Sequence, residues 1–195
     1  MSRNKIIIGL LVLVAFGFYL YKSRSDRPLP SGEISTDIKI SPTGSVTPAP
    51  ITTQPEVEIN TTKGKFTVQL LPDIAPRSVV NFLTKWSNGY CDGLVFHRVE
   101  DWVVQGCDPA GNGTGGQLNL PTETSANSFK RGSLGVARLA YPKDKSNDSQ
   151  FFIVKKDSTF LDGEYTYLGK VLTGMSVVES LVATDKITGT TILTK

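Results

Sequence analysis

The sequence predicts a mostly-β domain, a closed antiparallel barrel capped by two helices, carried behind an apolar N-terminal segment and a Pro-rich stretch. Three observations point there. Short alternating or apolar runs follow one another with short links, only two segments have a helical period, and the composition changes sharply near residue 56. At 195 residues and 39% apolar content, the chain has room for one ordinary domain plus extras. Two cysteines and one histidine are too few for a disulfide-built mini-domain or a four-ligand Cys/His zinc site. A Ser-His-Asp hydrolase would have to use His97.

The net charge of +3 is not a nucleic-acid signature. Residues 1–30 hold five Lys/Arg against one Asp, whereas residues 31–195 hold 16 basic and 17 acidic side chains. The basic excess flanks Ile6–Tyr21, 16 consecutive apolar or small residues. That length falls between a signal-peptide core of about 7–15 and a spanning helix of about 20. Lys22 and Arg24 crowd the small residues that a signal peptidase would need, and no Ala-x-Ala follows. Residues 1–25 are therefore read as an uncleaved single-pass anchor with helix 6–21 in the lipid bilayer, ahead of a cleaved signal. Charge on the two flanks is nearly balanced. The commoner arrangement, N-terminus inside and the bulk outside, is adopted. Residues 26–55 contain six Pro, nine Ser or Thr and no aromatic residue. Such a segment buries too little apolar surface to offset its ordering entropy and reads as a disordered stalk.

The folded domain is placed at 56–195. Val57–Asn60 and Lys65–Leu70 alternate as strands about a Lys63-Gly64 turn. Pro76 suits the first turn of a helix, Val79, Phe82, Leu83 and Trp86 follow at i, i+3, i+4, i+7, and Asn88-Gly89 stops it. Leu94–Val99 and Trp102–Gly106 read as a hairpin joined at Glu100-Asp101, followed by a Gly-rich loop over Asp108–Gly116. Ser133–Arg138, Gln150–Lys155 and Tyr167–Leu172 are further strands, Met175–Ala183 is a second helix, and Lys186–Leu193 is a closing strand. Gly111–Gly116 lacks the Gly-Lys-Ser/Thr ending of a phosphate loop. For Cys91 and Cys107 the sequence favours two small buried thiols over a disulfide, which would need Cα atoms within about 7 Å.

The run Tyr90-Cys-Asp-Gly-Leu-Val-Phe-His-Arg-Val99, then Val104-Gln-Gly106, Asp108-Pro109 and Gly113-Thr-Gly-Gly116, resembles the cyclophilin-type peptidyl-prolyl cis-trans isomerases. So do Gly132–Ala137, Ser149-Gln-Phe-Phe-Ile153, Leu161-Asp-Gly163 and Leu168–Val171. The likeness runs through the whole folded zone in the family's order. It implies an eight-stranded antiparallel barrel with a helix at each end, a groove on the outer wall, and no cofactor or metal.

The resemblance also implies roles. Arg98 would point its guanidinium at the prolyl nitrogen, Gln105 would orient that Arg and help hold the substrate carbonyl, and Phe152 would form the proline pocket with Trp102, Val103 and Leu161. The bland alternatives are a surface salt bridge for Arg98, a satisfied core amide for Gln105, and core packing for the pocket residues. Strand alternation sends Phe151 into the barrel and Phe152 out. Ala137 and Arg138 match the strand whose backbone pairs with the peptide, and Gln150 is the next groove-lining residue. Arg138, where many eukaryotic members have Asn, and Tyr165, where a groove-side His is usual, resemble bacterial-type members. Arg98 and Gln105 are one residue closer than in longer members, so the hairpin is shorter. The loop from Leu139 to Asn147 is about three residues longer than in compact members. Phe160 stands where drug-sensitive members have Trp; lacking an N–H donor, it implies weak cyclosporin binding with activity retained. His97, one residue from Arg98, falls on the opposite face and reads as a satisfied structural histidine.

The expected function is isomerisation of X–Pro bonds in exported proteins by a membrane-tethered monomer, with proline-containing polypeptides as partners and no nucleic acid. A catalytically weak X–Pro binding or chaperone module of the same fold is the alternative. A stalked adhesion protein would need an exposed aromatic or charged patch away from the groove, and the sequence offers none.

Overall fold

A computed structural model of the chain describes residues 53–193. The expected anchor at 6–21 and most of the stalk lie outside the described residues, and no helix among those described is long and apolar enough to cross a membrane. Strands β1 (Glu56–Thr61) and β2 (Gly64–Leu70) pair in register from Glu56↔Gln69 to Thr61↔Gly64. Val57, Ile59, Phe66, Val68 and Leu70 alternate inward and are buried, which is what selects this register. At the turn, the Thr61 hydroxyl donates to the Gly64 carbonyl at 2.7 Å.

Helix α1 (Pro76–Ser87) starts and stops where the sequence places it, with Val79, Phe82 and Trp86 buried. Ala75 supplies no side-chain cap. Glu123 does so from a distant loop: its carboxylate accepts the backbone N–H groups of Arg77 at 3.0 Å and Ser78 at 2.9 Å, and the Ser78 hydroxyl at 2.7 Å. This satisfies two otherwise orphaned donors and sets a negative charge at the positive end of the helix.

The remaining elements are β3 (Arg98–Val99), β4 (Val103–Gly106), β5 (Leu120–Pro121), β6 (Ser133–Val136), β7 (Lys145–Ser146), β8 (Phe151–Val154), a 3-10 turn (Thr159–Leu161), β9 (Tyr167–Thr173), α2 (Met175–Ser180) and β10 (Ile187–Leu193). Eight strands form one antiparallel sheet in the order β10-β1-β2-β9-β6-β8-β4-β3, and β5 pairs with β7 apart from it. The sheet curls into a half-barrel around a core that includes Phe66, Phe82, Trp86, Phe96, Phe151 and Leu168.

Three expectations are corrected. The run Leu94–Val99 is a strand only at its last two residues; Phe96 is buried in the core, and residues 93–96 instead run against 185–187. The backbone N–H of Phe96 donates to the Asp185 carbonyl and that of Ile187 to the Leu94 carbonyl, both at 2.9 Å, beside an isolated Val95↔Lys186 bridge. The two sheet edges therefore meet through this short contact rather than through a continuous ladder. The second helix ends at Ser180, because Leu181 turns extended and Asp185 accepts the N–H of Val182 at 2.8 Å. Finally, Cys91 and Cys107 form a disulfide with Cα atoms 5.0 Å apart, where two thiols were expected. The tight hairpin brings its two flanks together, and that proximity was invisible without the register.

Candidate active site

Two faces of β8 build two cores. Phe151 and Ile153 point into the barrel, while Phe152 and Val154 join Val103, Phe129, Ala137, Leu161 and Tyr167 in a second apolar cluster on the outer wall. Phe152 lies opposite Gly135 on β6 and opposite Gln105 on β4. A Cβ at Gly135 would collide with the Phe152 ring and lie 2.8 Å from Phe129 Cε1, so the glycine makes room for the pocket floor. Phe129 stacks under Phe152 with centroids 5.7 Å apart, and Tyr165 meets Phe152 edge-on at 5.7 Å. Asp162 ties this floor to the 3-10 turn: it accepts the Ser128 hydroxyl at 2.6 Å and the Phe129 N–H at 2.8 Å.

The pocket above this cluster is lined by Arg98, Trp102, Val103, Gln105, Ala137, Arg138, Phe152, Leu161 and Tyr165. All of these were singled out in the sequence. Gln150 lines an adjoining cavity together with Gln105 and the glycine loop. Phe160 sits at the rim, 67% exposed, edge-on to Trp102 at 5.2 Å.

The polar partners differ from expectation. Arg98 and Gln105 face each other across the β3–β4 ladder, yet Gln105 Nε2 donates to Gln150 Oε1 at 2.8 Å. Gln150 Nε2 in turn donates to the Gly115 carbonyl at 2.7 Å. Arg98 Nε donates to Glu100 Oε1 at 2.6 Å, so the residue bonded to the guanidinium is Glu100 and not Gln105. Arg138, expected to act through its backbone, has a buried guanidinium fully engaged. Nε donates to the Glu164 carbonyl at 2.7 Å, Nη1 to the Leu139 carbonyl at 2.8 Å and Nη2 to Glu164 Oε2 at 2.9 Å, over the Tyr165 ring. It staples the loop after β6 to the segment before β9. At Ala137 the backbone N–H donates to the Gln150 carbonyl and the carbonyl accepts from Asn147, so neither is open to a peptide.

His97 is not the satisfied histidine expected. Both ring nitrogens are shielded without a hydrogen-bond partner, and the ring packs near Gly113. Burial lowers its pKa, the Asp108 charge opposes this and Arg98 adds to it, so the imidazole stays neutral at physiological pH. Asp108 holds the glycine loop by accepting the N–H groups of Gly113 at 2.6 Å, Asn112 at 2.8 Å and Ala110 at 3.2 Å. Burial alone would raise its pKa, but those three bonds and His97 outweigh it, and the net shift is down from 3.8. Because the folded value is depressed, the stabilisation is complete above the ordinary aspartate range and is lost as pH falls through the lowered value. Asp108→Ala removes three part-buried hydrogen bonds to a buried carboxylate and is expected to cost about 2 kcal/mol. Chemical denaturation measures this, and a variant as stable as the wild type would remove the loop-clamp role.

The fold is thus a half-barrel of antiparallel strands with an apolar cleft on its outside, lined by two cations, the ion-paired Arg98 at the rim and the fully engaged Arg138. The family model for cyclophilin type peptidyl-prolyl cis-trans isomerase/CLD matches residues 56–193. The chain belongs to this family, and its activity is cis/trans isomerisation of X–Pro bonds. It is 38% identical over 136 residues to the Schizosaccharomyces pombe peptidyl-prolyl cis-trans isomerase ppi1, covering 66% of this chain and 87% of that protein. It is 39% identical over 137 residues to the Arabidopsis thaliana isomerase CYP18-2, covering 67% and 84%. Among solved structures, a Cryptosporidium parvum cyclophilin type isomerase superposes with a TM-score of 0.68 at 27% identity, covering 73% of this chain and 99% of that one. The same protein determined in the presence of the dipeptide Ala-Pro gives 0.66 at 28%, covering 72% and 99%.

Proposed function

We propose that the outer-wall pocket is where a proline-containing polypeptide is isomerised, with the proline ring on Phe152 between Val103, Leu161 and Trp102. The observation that carries this is the convergence of Arg98, Gln105 and Phe152 from three strands on one apolar cleft. An X–Pro bond turns over a barrier of about 18–20 kcal/mol because amide resonance is lost midway. Reaching roughly 10³ per second requires lowering it by about 6–7 kcal/mol. No bond is broken, so the demand is for a cation beside the prolyl nitrogen, a donor to the carbonyl and a dry seat for the ring. Arg98 Nη1 and Nη2, unbonded among the described residues, supply the first. Gln105 supplies the second through the Nε2 hydrogen that its bond to Gln150 leaves over. Peptide pairing falls to the Arg138 backbone, since Ala137 is already bonded on both sides. That the related Cryptosporidium parvum protein was determined in the presence of the dipeptide Ala-Pro supports proline peptides as the substrate class.

The finer reading is a bacterial-type, membrane-tethered monomer acting on exported proteins outside the bilayer. The apolar run at 6–21 and the stalk support the tether, Arg138 and Tyr165 support the bacterial-type affinity, and the Cys91–Cys107 disulfide supports an oxidising compartment. The test is a protease-coupled isomerisation assay on an Ala-Pro-containing peptide, run with the full chain. Acceleration well above the uncatalysed rate, inhibited by competing proline peptides, is expected. A folded chain that binds such peptides without accelerating them would make it the binding module instead.

A further inference from the structure

Glu100 occupies the turn between β3 and β4, closed by its own N–H donating to the Val103 carbonyl at 2.8 Å. Residues two apart on extended backbone share a face, so Glu100 stands beside Arg98, and the turn then brings Trp102 back to the same side. One carboxylate consequently serves two groove residues. Oε1 accepts Arg98 Nε at 2.6 Å and Oε2 accepts Trp102 Nε1 at 2.7 Å. The guanidinium also lies over the indole, with Cζ 5.2 Å from the ring centroid. Phe160 meets the same ring edge-on, with centroids 5.2 Å apart.

We propose that Glu100 is a positioning residue for the isomerisation, holding the Arg98 guanidinium and the Trp102 indole as one rigid unit at the rim of the proline pocket. The proposal rests on that pocket being the catalytic site. Arg98 is 43% exposed at its side chain, so without a partner it would sample many rotamers. The carboxylate takes the Nε–H, at the side of the guanidinium, and leaves the two terminal nitrogens to a substrate. It fixes the indole edge as well, and so sets pocket width and cation position together. Gln105, committed to Gln150, makes neither contact.

The charged groups facing this carboxylate are Arg98, which favours its ionised form, and Asp101, which opposes it; Asp101 is itself paired with Lys156 at 2.8 Å, with Lys155 nearby. The bonds from Arg98 and then Trp102 keep Glu100 ionised below its ordinary value of 4.5. The clamp is therefore intact at neutral pH and opens only on acidification through that lowered value.

The experiment measures kcat and peptide affinity separately by NMR exchange, with tryptophan emission recorded across an acid titration. Glu100→Ala is expected to lower kcat roughly tenfold while proline-peptide affinity changes less than about threefold, because the cation is misplaced and the seat remains. Glu100→Gln keeps the shape but has a single acceptor oxygen, so it should recover part of kcat and lose the acid limb of both the rate and the emission. Trp86, 1% exposed in the core, contributes a constant background. Asp101→Asn, which removes the adjacent charge without touching either groove residue, should leave activity unchanged. An active wild type with an undiminished Glu100→Ala, or a Glu100→Gln whose acid limb matches the wild type, overturns the clamp alone. A folded but inert wild type overturns the site on which it rests.

Discussion

Arg98→Ala should lower kcat/KM for X–Pro isomerisation by about 10²–10³, the loss seen when one preorganised group facing a developing transition-state charge is removed. That is roughly 3–4 kcal/mol, about half the barrier reduction the reaction needs. The remainder belongs to the apolar seat and the carbonyl donor, which the variant keeps. Its fold should be untouched, since the side chain is 43% exposed and makes one surface ion pair, with Glu100. Arg98→Lys tests whether charge alone suffices. A lysine's three donors radiate from one nitrogen, so it cannot hold Glu100 through a planar Nε–H while two separate terminal nitrogens face the groove, and little rescue is expected. A coupled assay on the same peptide reads both. Activity of Arg98→Ala within threefold of wild type would move catalysis away from this cation.

Removing the disulfide should have the largest effect on stability. Cys91 and Cys107 are 16 residues apart and fully buried. Closing a loop of that size removes about 3 kcal/mol of chain entropy from the unfolded state. The loop encloses Arg98, Glu100, Trp102, Val103 and Gln105, the β3–β4 half of the groove. The Cys91→Ser/Cys107→Ser pair is therefore expected to melt roughly 10 °C lower. It should also lose more activity on warming than the global unfolding curve predicts, because this segment frays first. Reductant should leave the fold intact in the cold and lower the melting point as the double substitution does. Equal denaturation midpoints with and without the bridge would show that the hairpin holds itself.

Most of the barrel was legible because the residues that build it repeat with a period. β1, β2 and α1 announce themselves through alternation or 3.6-residue spacing that the core enforces. Leu94–Val99 misled because an apolar run reads alike whether it forms a strand or buries a single Phe96 beside another segment. The two-residue strands β5 and β7 are too short to carry any period. At the site, the apolar seat and the cation were readable from motif spacing, since their residue types are demanded by the ligand. Glu100 was not: a carboxylate two residues from an arginine at a hairpin turn is ordinary surface chemistry until the indole is seen on its other oxygen. The disulfide and the unpartnered His97 depend on register and on what packs across the fold, which no local pattern encodes.

The pairing of β1 with β10 has a bearing on how the domain is made. Glu56 lies opposite Leu193, so the first strand among the described residues has one neighbour within a few residues and the other at the far end of the domain. At roughly 5–20 residues per second, β1 waits on the order of ten seconds for that second neighbour to be translated. Throughout that interval its outer edge, with Val57 and Ile59 on one face, is a bare template for any passing strand. A nascent chain of this kind is most exposed to aggregation early, and a stop placed anywhere before β10 would make that exposure permanent.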